Sequence, residues 1–344
     1  MRVARFSPLT RRRWAAFRSN RRGFWSLVIF LILFGATLCA EMIANDKPLV
    51  VRYNGSFYFP TFQTYAETEF GGSFTVEADY REREVQQLVA DKGGWMIWPV
   101  IRYRHDTIDY HLPGTAPYPP SVEHWLGTDN YGRDVLAGLV YGVRLSFLFG
   151  LVLTVLSSVI GVCAGGLQGY FGGLFDLVAQ RFVEIWAGLP MLFILIILAS
   201  IVESNVFWLL GILIAFSWMS LVGVVRAEFL RARNFQYVVA ARALGAGNLR
   251  IMVRHVLPNA MVATLTFLPF ILTGSITVLT SLDFLGFGLP AESPSLGRLL
   301  AQGRTNIHAP WLGLTTFFTL AFMLILLIFI GESARDAFDP RKEF

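Results

Sequence analysis

The sequence predicts an all-α polytopic membrane protein: six transmembrane helices with a folded segment inserted between the first two. Three observations carry that prediction. Six apolar runs reach about 20 residues, at about 24–44, 144–168, 184–203, 206–225, 259–283 and 311–331. Charged residues make up only 15% of the chain against 54% hydrophobic, where a soluble domain carries roughly 25% charged. Lys and Arg collect in alternate connections. A run of about 20 apolar residues spans the hydrocarbon core, and in lipid it must be helical because every backbone N–H and C=O needs a partner within the segment.

The chain opens on a basic stretch, 1–23. Eight arginines fall in the first 22 residues with no acid among them. Trp14, Phe17 and Phe24 are interleaved with them, the pattern of an interfacial helix held by anionic headgroups. Membrane lipid is therefore a partner, and nucleic acid is not, because an apolar span follows at once. That span, 24–44, exceeds the roughly 7–15 residues of a signal h-region and reads as a retained first helix. Cys39 and Cys163 lie far apart inside apolar runs and read as small buried hydrophobes, with neither disulfide nor metal implied.

The segment 45–143 is too long for a simple connector. It is rich in aromatics, and Ser56-Phe57-Tyr58-Phe59 has strand propensity. It reads as a small extra-membrane subdomain, either a cap on the helices or a docking surface for another protein. In the second span Gly161, Gly165 and Gly169 repeat every four residues, a close helix-packing signature within this chain or against a second one. The third and fourth spans are joined by a tight turn around Glu203, Ser204 and Asn205. In the fifth, Thr266, Thr273, Thr277 and Thr280 fall near one helical face. They either line a translocation path or hydrogen-bond between helices.

The connection at 226–258 carries Arg226, Arg231, Arg233, Arg242, Arg250 and Arg254 against one acid, Glu228, and the tail 332–344 carries Arg335, Arg341 and Lys342. With six spans, these segments and the N-terminus share one side, and the Lys/Arg excess makes it the cytoplasm.

Several functions are excluded by what is missing. The three lysines, Lys47, Lys92 and Lys342, follow Asp, Asp and Arg, so no Gly-Lys-Ser/Thr phosphate loop exists. His105, His111, His124, His255 and His308 are scattered and read as surface or structural histidines. No nucleophile constellation is visible, which argues against a membrane enzyme. Glu41, Glu184, Asp283 and Glu332 lie at span ends and the span middles carry no ionisable group, unlike ion-coupled transporters. The chain reads as a pathway without an engine, with an autonomous channel or secondary transporter as the alternative.

The 226–258 connection is where mechanical input would enter. Its first half, from Phe235 to Leu244, favours helix; Gly245 can end it in the left-handed conformation, Asn248 can cap the next helix, and Pro258 suits the first turn of the fifth span. Ala240, Ala241 and Ala243 offer little bulk, so another protein can approach closely. Ala240, Ala241 and Gly245, followed by Leu257 and Pro258, resemble the Glu-Ala-Ala-x-x-x-Gly … Leu-Pro loop of binding-protein-dependent ABC importer permeases. Val239 stands where that pattern has Glu. The segments Gly127-Thr128-Asp129-Asn130-Tyr131-Gly132-Arg133-Asp134, Arg254-His255-Val256-Leu257-Pro258-Asn259, Phe284-Leu285-Gly286-Phe287-Gly288 and Arg335-Asp336-Ala337-Phe338-Asp339-Pro340 are similar to dipeptide and oligopeptide permeases. The outer insertion and Glu41 to Pro48 resemble one branch whose importers also admit the peptide-nucleotide microcin C.

The resemblance implies the type I ABC importer permease fold in a bacterial inner membrane, and a coupling helix seated in the ATPase, involving Tyr237, Val239, Ala240, Ala241, Arg242, Leu244, Gly245, Leu257 and Pro258. It implies a sister permease, a cytoplasmic ATPase and a periplasmic peptide-binding protein. It implies no cofactor in this chain, with ATP and Mg on the ATPase.

Overall fold

The computed structural model describes residues 8–199, 201–202 and 205–338. Glu203, Ser204, Asp339, Pro340, Arg341 and Lys342, on which sequence expectations fall, lie outside the described residues. In chain order the elements are α1 (Pro8–Ser19), α2 (Arg21–Leu38), α3 (Ala40–Ile43), β1 (Val50–Tyr53), β2 (Ser56–Tyr58), α4 (Arg83–Asp91), β3 (Trp95–Ile97), α5 (Val135–Phe171), α6 (Gly173–Ala187), α7 (Met191–Ala199), α8 (Val206–Ser217), α9 (Met219–Ala232), α10 (Gln236–Ala243), α11 (Asn248–Ile251), α12 (Leu257–Leu285), α13 (Leu296–Thr305) and α14 (Pro310–Phe338). Among the described residues five helices are long and apolar enough to span a membrane: α2, α5, Val206–Ala232, Asn248–Leu285 and α14. The pair α6–α7, bent by 65°, makes a sixth when taken as one span.

The chain divides into two compact units. The first holds residues 1–31, 147–290 and 321–344. Here the helices overrun the apolar runs. The third span, expected as 184–203, starts at Gly173 and breaks between Ala187 and Met191. Pro190 has no N–H to donate and disfavours helical backbone at Leu189, so the bend falls there. Glu184 consequently lies near the end of α6, paired with Arg181 at 2.6 Å, and not at the start of a span. Between α8 and α9, the indole N–H groups of Trp186 and Trp218 both donate to the Ala215 carbonyl, at 2.8 and 2.9 Å.

The glycine repeat of α5 lies on α9. A Cβ at Gly161, Gly165 or Gly169 would stand 2.5–2.6 Å from the carbonyl oxygen of Trp218, Val222 or Arg226, each step of four on one helix matching a step of four on the other. Backbones this close exclude any side chain at the three positions. The two cysteines are exposed on this chain, contrary to the expectation of burial. An apolar side chain on a spanning helix needs no protein around it, because the surrounding medium is itself apolar.

The second unit holds residues 32–146 and 291–320. Its sheet has the order β2-β1-β3, antiparallel throughout. Asn54 and Gly55 both have positive φ and close the β1–β2 hairpin in two residues, the backbone that Asn-Gly adopts readily. Val51 and Tyr53 point inward while Arg52 between them is exposed, the period-two alternation of a one-sided sheet. Phe70, fully buried, packs against the rings of Tyr53, Tyr58 and Tyr80 with centroids 5.1–5.6 Å apart, and α4 adds Val85 and Val89 from one face. The 45–143 segment thus carries its own core.

Candidate functional site

Helix α10 projects from the first unit on an apolar anchor. Val238, Ile251 and Val256 are fully buried with Tyr170, Leu221, Val225, Phe229, Ala232 and Ala260, and Ala241 and Ala246 pack against that cluster. Gly245, at φ +80°, ends α10. Its N–H bonds Arg242 O at 3.0 Å and that of Ala246 bonds Ala241 O at 3.1 Å, the two bonds of a Schellman stop. A Cβ there would meet no neighbour, so the need for glycine is conformational and not steric.

The sequence expectation for this loop needs two corrections, at Asn248 and Ala241. Asn248 does not cap α11, because Gly247 holds that position without a side-chain bond; instead Asn248 Oδ1 accepts from the Tyr170 hydroxyl at 2.9 Å, fastening the loop to α5. Pro258 stands in the first turn of α12, as expected. The helical path begins at Asn248, and a π turn at Met252–Val256 precedes the proline, a wider turn of the kind that accommodates an interrupted hydrogen-bond ladder. Ala241 does not face outward, since its helical position beside Val238 turns it into the core.

What remains outward is apolar with a basic border. Tyr237, Val239, Leu244, Leu249 and Val253 are exposed, Leu244 by 88% and Leu249 by 74%. Ala240, Arg242, Gly245 and Pro258 are exposed beside them, as are Arg231, Arg250 and Arg254, whereas Leu257 is half-buried. Tyr237 is held by Asn259 Nδ2, which donates to its hydroxyl at 2.8 Å. Exposed large apolar side chains next to a rigid anchor mark a contact surface better than they mark an ordinary loop.

An ion pair missed by sequence reasoning leads away from this surface. Arg226 grips Asp176 with both arms, Nε to Oδ1 at 2.5 Å and Nη2 to Oδ2 at 2.7 Å, joining the first turn of α6 to α9. Arg233 reaches the carbonyls of Tyr170 and Phe171 at 3.5 and 3.4 Å. Both arginines read in the sequence as topology charges alone. The signal that could have found the pair is Asp176, an acid at the head of an apolar run.

The threonines of α12 do not share one environment. Thr280 is buried, Thr266 and Thr273 half-buried and Thr277 exposed. Every one of the four hydroxyls bonds a carbonyl three or four residues back in its own helix, at 2.6–2.9 Å, so they make none of the expected interhelical bonds. Ser275 of this helix meets Thr154 of α5, at 3.4 Å.

In the second unit, His124 is buried between two carboxylates. Nδ1 is 2.8 Å from Asp134 and Nε2 is 3.2 Å from Asp109, and its ring lies 4.2 Å from that of Tyr103. Burial opposes a charge on His124, but the hydrogen bonds to Asp134 and Asp109 outweigh it and raise its pKa. Burial likewise opposes the Asp109 carboxylate; the His111 N–H, His124 and Tyr103 overcome it and hold its pKa low. Among the described residues no group of three or more His, Cys, Asp or Glu is arranged to hold a metal.

Comparison with known proteins gives the arrangement a context. A family profile described as binding-protein-dependent transport system inner membrane component matches residues 157–344. Over 340 residues the chain is 59% identical to the inner membrane ABC transporter permease protein YejE of Escherichia coli, covering 99% of both chains. It is 56% identical over 363 residues to the peptidoglycan transport system permease protein YejE of Agrobacterium fabrum, covering 98% of this chain and 95% of that one. Over 250 residues it is 32% identical to the oligopeptide transport system permease protein OppC of Lactococcus lactis subsp. cremoris, covering 72% and 85% respectively.

Proposed function

The chain belongs to the family of inner-membrane components of binding-protein-dependent transport systems, and from that premise we propose that it is one permease subunit of an ATP-driven peptide importer, moved by a separate ATPase seated on the α10 surface. The single observation that carries the coupling assignment is the exposed apolar face of Tyr237, Val239, Leu244 and Leu249 standing on a buried anchor. ATP and Mg belong to the ATPase, and this chain carries no cofactor. A sister permease completes the translocation path, and a soluble peptide-binding protein delivers cargo to the outer side. Both termini and α10 are cytoplasmic, because the arginine-rich segments lie there.

Motion imposed on α10 would pass through the Val238–Ile251–Val256 anchor to α9 and α12, and through Arg226–Asp176 to α6. A packed element of this kind moves as a body. The names of the oligopeptide and peptidoglycan relatives support peptides as cargo, including cell-wall peptides, and the sequence resemblance adds microcin C-like peptide-nucleotides.

Reconstitution tests the proposal. In liposomes, uptake of a labelled peptide should require the chain, its sister, the ATPase, the binding protein and ATP together. Solute flux through the chain alone would overturn it in favour of an autonomous channel.

A further inference from the structure

A small polar cleft in the second unit is not accounted for by coupling or by helix packing. It has a volume of about 40 Å³ and is lined by His105, Arg133, Asp134, Ser293, Arg298 and Gln302, among others. A water needs roughly 10–15 Å³ by this kind of measure, so the cleft takes a group of about three heavy atoms. Two helices begin at it: α5 directly after Asp134, and α13 directly after Ser295, whose hydroxyl accepts from the Arg298 N–H at 3.2 Å. Helix N-termini carry partial positive charge and favour an anion.

The acids around the cleft are already committed. Asp129 Oδ1 accepts from the N–H groups of Tyr131 and Arg133, at 2.8 and 2.9 Å, and Oδ2 from Gln302 at 3.3 Å. Asp134 accepts from the Ala137 N–H at 2.7 Å and meets His124 at 2.8 Å. Glu292 is exposed at the rim. Arg133 is different. Its Nε is buried without a hydrogen-bond partner among the described residues, and its guanidinium lies over the Tyr131 ring, 5.2 Å from the centroid. A buried guanidinium N–H left without an acceptor is costly. His105 lines the same cleft with its ring against Tyr141; burial, foremost, and the nearby arginines lower its pKa against the pull of Asp106, so at neutral pH it offers a hydrogen bond without a competing charge.

We propose that this cleft is a carboxylate-binding site, with Arg133 as its cationic anchor and the starts of α5 and α13 completing the cradle. Guanidinium and carboxylate are matched in planar geometry, and the cleft is too small for more than the carboxylate and its first carbon. The assignment does not depend on the proposed function, because binding can be measured without transport.

The test uses the full chain in lipid nanodiscs, with acetate as probe against chloride at equal ionic strength. Saturable acetate binding, read by saturation-transfer NMR, should weaken about tenfold or more in Arg133→Gln, the loss of one charge-assisted contact, and less in Arg133→Lys. Ser293→Phe, which leaves Arg133 in place but fills the cleft, should abolish it. Unfolding midpoints without acetate separate lost binding from lost folding. Equal acetate and chloride responses, or acetate binding unchanged in both Arg133→Gln and Ser293→Phe, overturn the site. A dipeptide and its C-terminal amide then identify the source. Competition by the acid alone assigns the site to a peptide terminus, competition by neither assigns it to a smaller acid, and equal competition by both overturns the carboxylate assignment.

Discussion

The α10 surface and the segment around His124 are both extensions from spanning helices, yet they are finished in opposite ways. Around His124 the polar groups answer one another within the chain: Asp134, Asp109 and Tyr103 surround the imidazole, and the Tyr103 hydroxyl donates to Asp109 at 3.0 Å. Around α10 the side-chain hydrogen bonds fasten the loop at its base, Asn248 with the buried Tyr170 and Asn259 with the exposed Tyr237. Its outer side is left apolar and bare. A polar network satisfied internally rigidifies a structure, whereas uncovered apolar surface is completed by a second protein. The difference separates a region whose polar groups are satisfied within the chain from one that leaves apolar side chains uncovered.

Four expectations would break or sharpen that contrast. The largest effect is expected from Leu244→Asp. It should abolish ATP-driven uptake and release the ATPase in pull-down, while the protein's level in the membrane stays unchanged. A central apolar anchor in an interface is worth about 2 kcal/mol or more, and a charge at an 88% exposed position disturbs nothing inside. Retained uptake would mean the bare face is not the grip. Next, Gly165→Leu should unfold the α5–α9 contact, because its Cβ alone would stand 2.6 Å from Val222 O. Overpacking costs about 1–3 kcal/mol or more, readable as a lowered thermal midpoint in detergent. Ala241→Asp belongs with this class and not with Leu244→Asp, since Ala241 packs inward.

The third expectation concerns pH. His124 has its pKa raised above the ordinary 6.5, so its charge contributes fully below about that value and is lost as pH rises through the elevated one. Asp109 has its pKa lowered below 3.8, so its contribution is present above that value and is lost as acid protonates it. Hydrogen-exchange protection of the segment around His124 should therefore be greatest between roughly pH 4 and 6.5 and decline on both sides. His124→Asn should remove the alkaline decline while sparing ATPase binding to α10. The smallest effect is Gly245→Ala, about 1 kcal/mol from the positive φ, seen as fraying of α10 by hydrogen exchange.

Much of this was legible in the sequence, and the illegible parts have a common origin. Span number, the spacing of the α5 glycines and the α10 stop at Gly245 follow from local rules that need no partner. The extent of the helices did not, because a helix continues past its apolar run wherever capping and packing allow: α5 begins nine residues before the expected span and α14 runs seven beyond it. The Asn54-Gly55 hairpin carries a local signal of its own, since both residues accept positive φ. For the candidate site, the residues Tyr237, Val239 and Leu244 emerged from the pattern, but the inward turn of Ala241 depended on which face of α10 meets Ile251 and Val256.

The sequence by itself determined that this chain crosses a membrane, that it lacks an ATP-binding loop, and that residues 235–258 break from helix to turn to helix; hydrophobic length, residue type and glycine placement settle such things locally. Tertiary structure alone decided that Arg226 pairs with Asp176, that His124 is enclosed by two acids, and that Arg133 lines a cleft with Ser293. Those are meetings of groups between 10 and 50 positions apart in the chain, or on loops 160 residues apart at the cleft. A charged side chain carries no mark of its partner until folding removes water from around it.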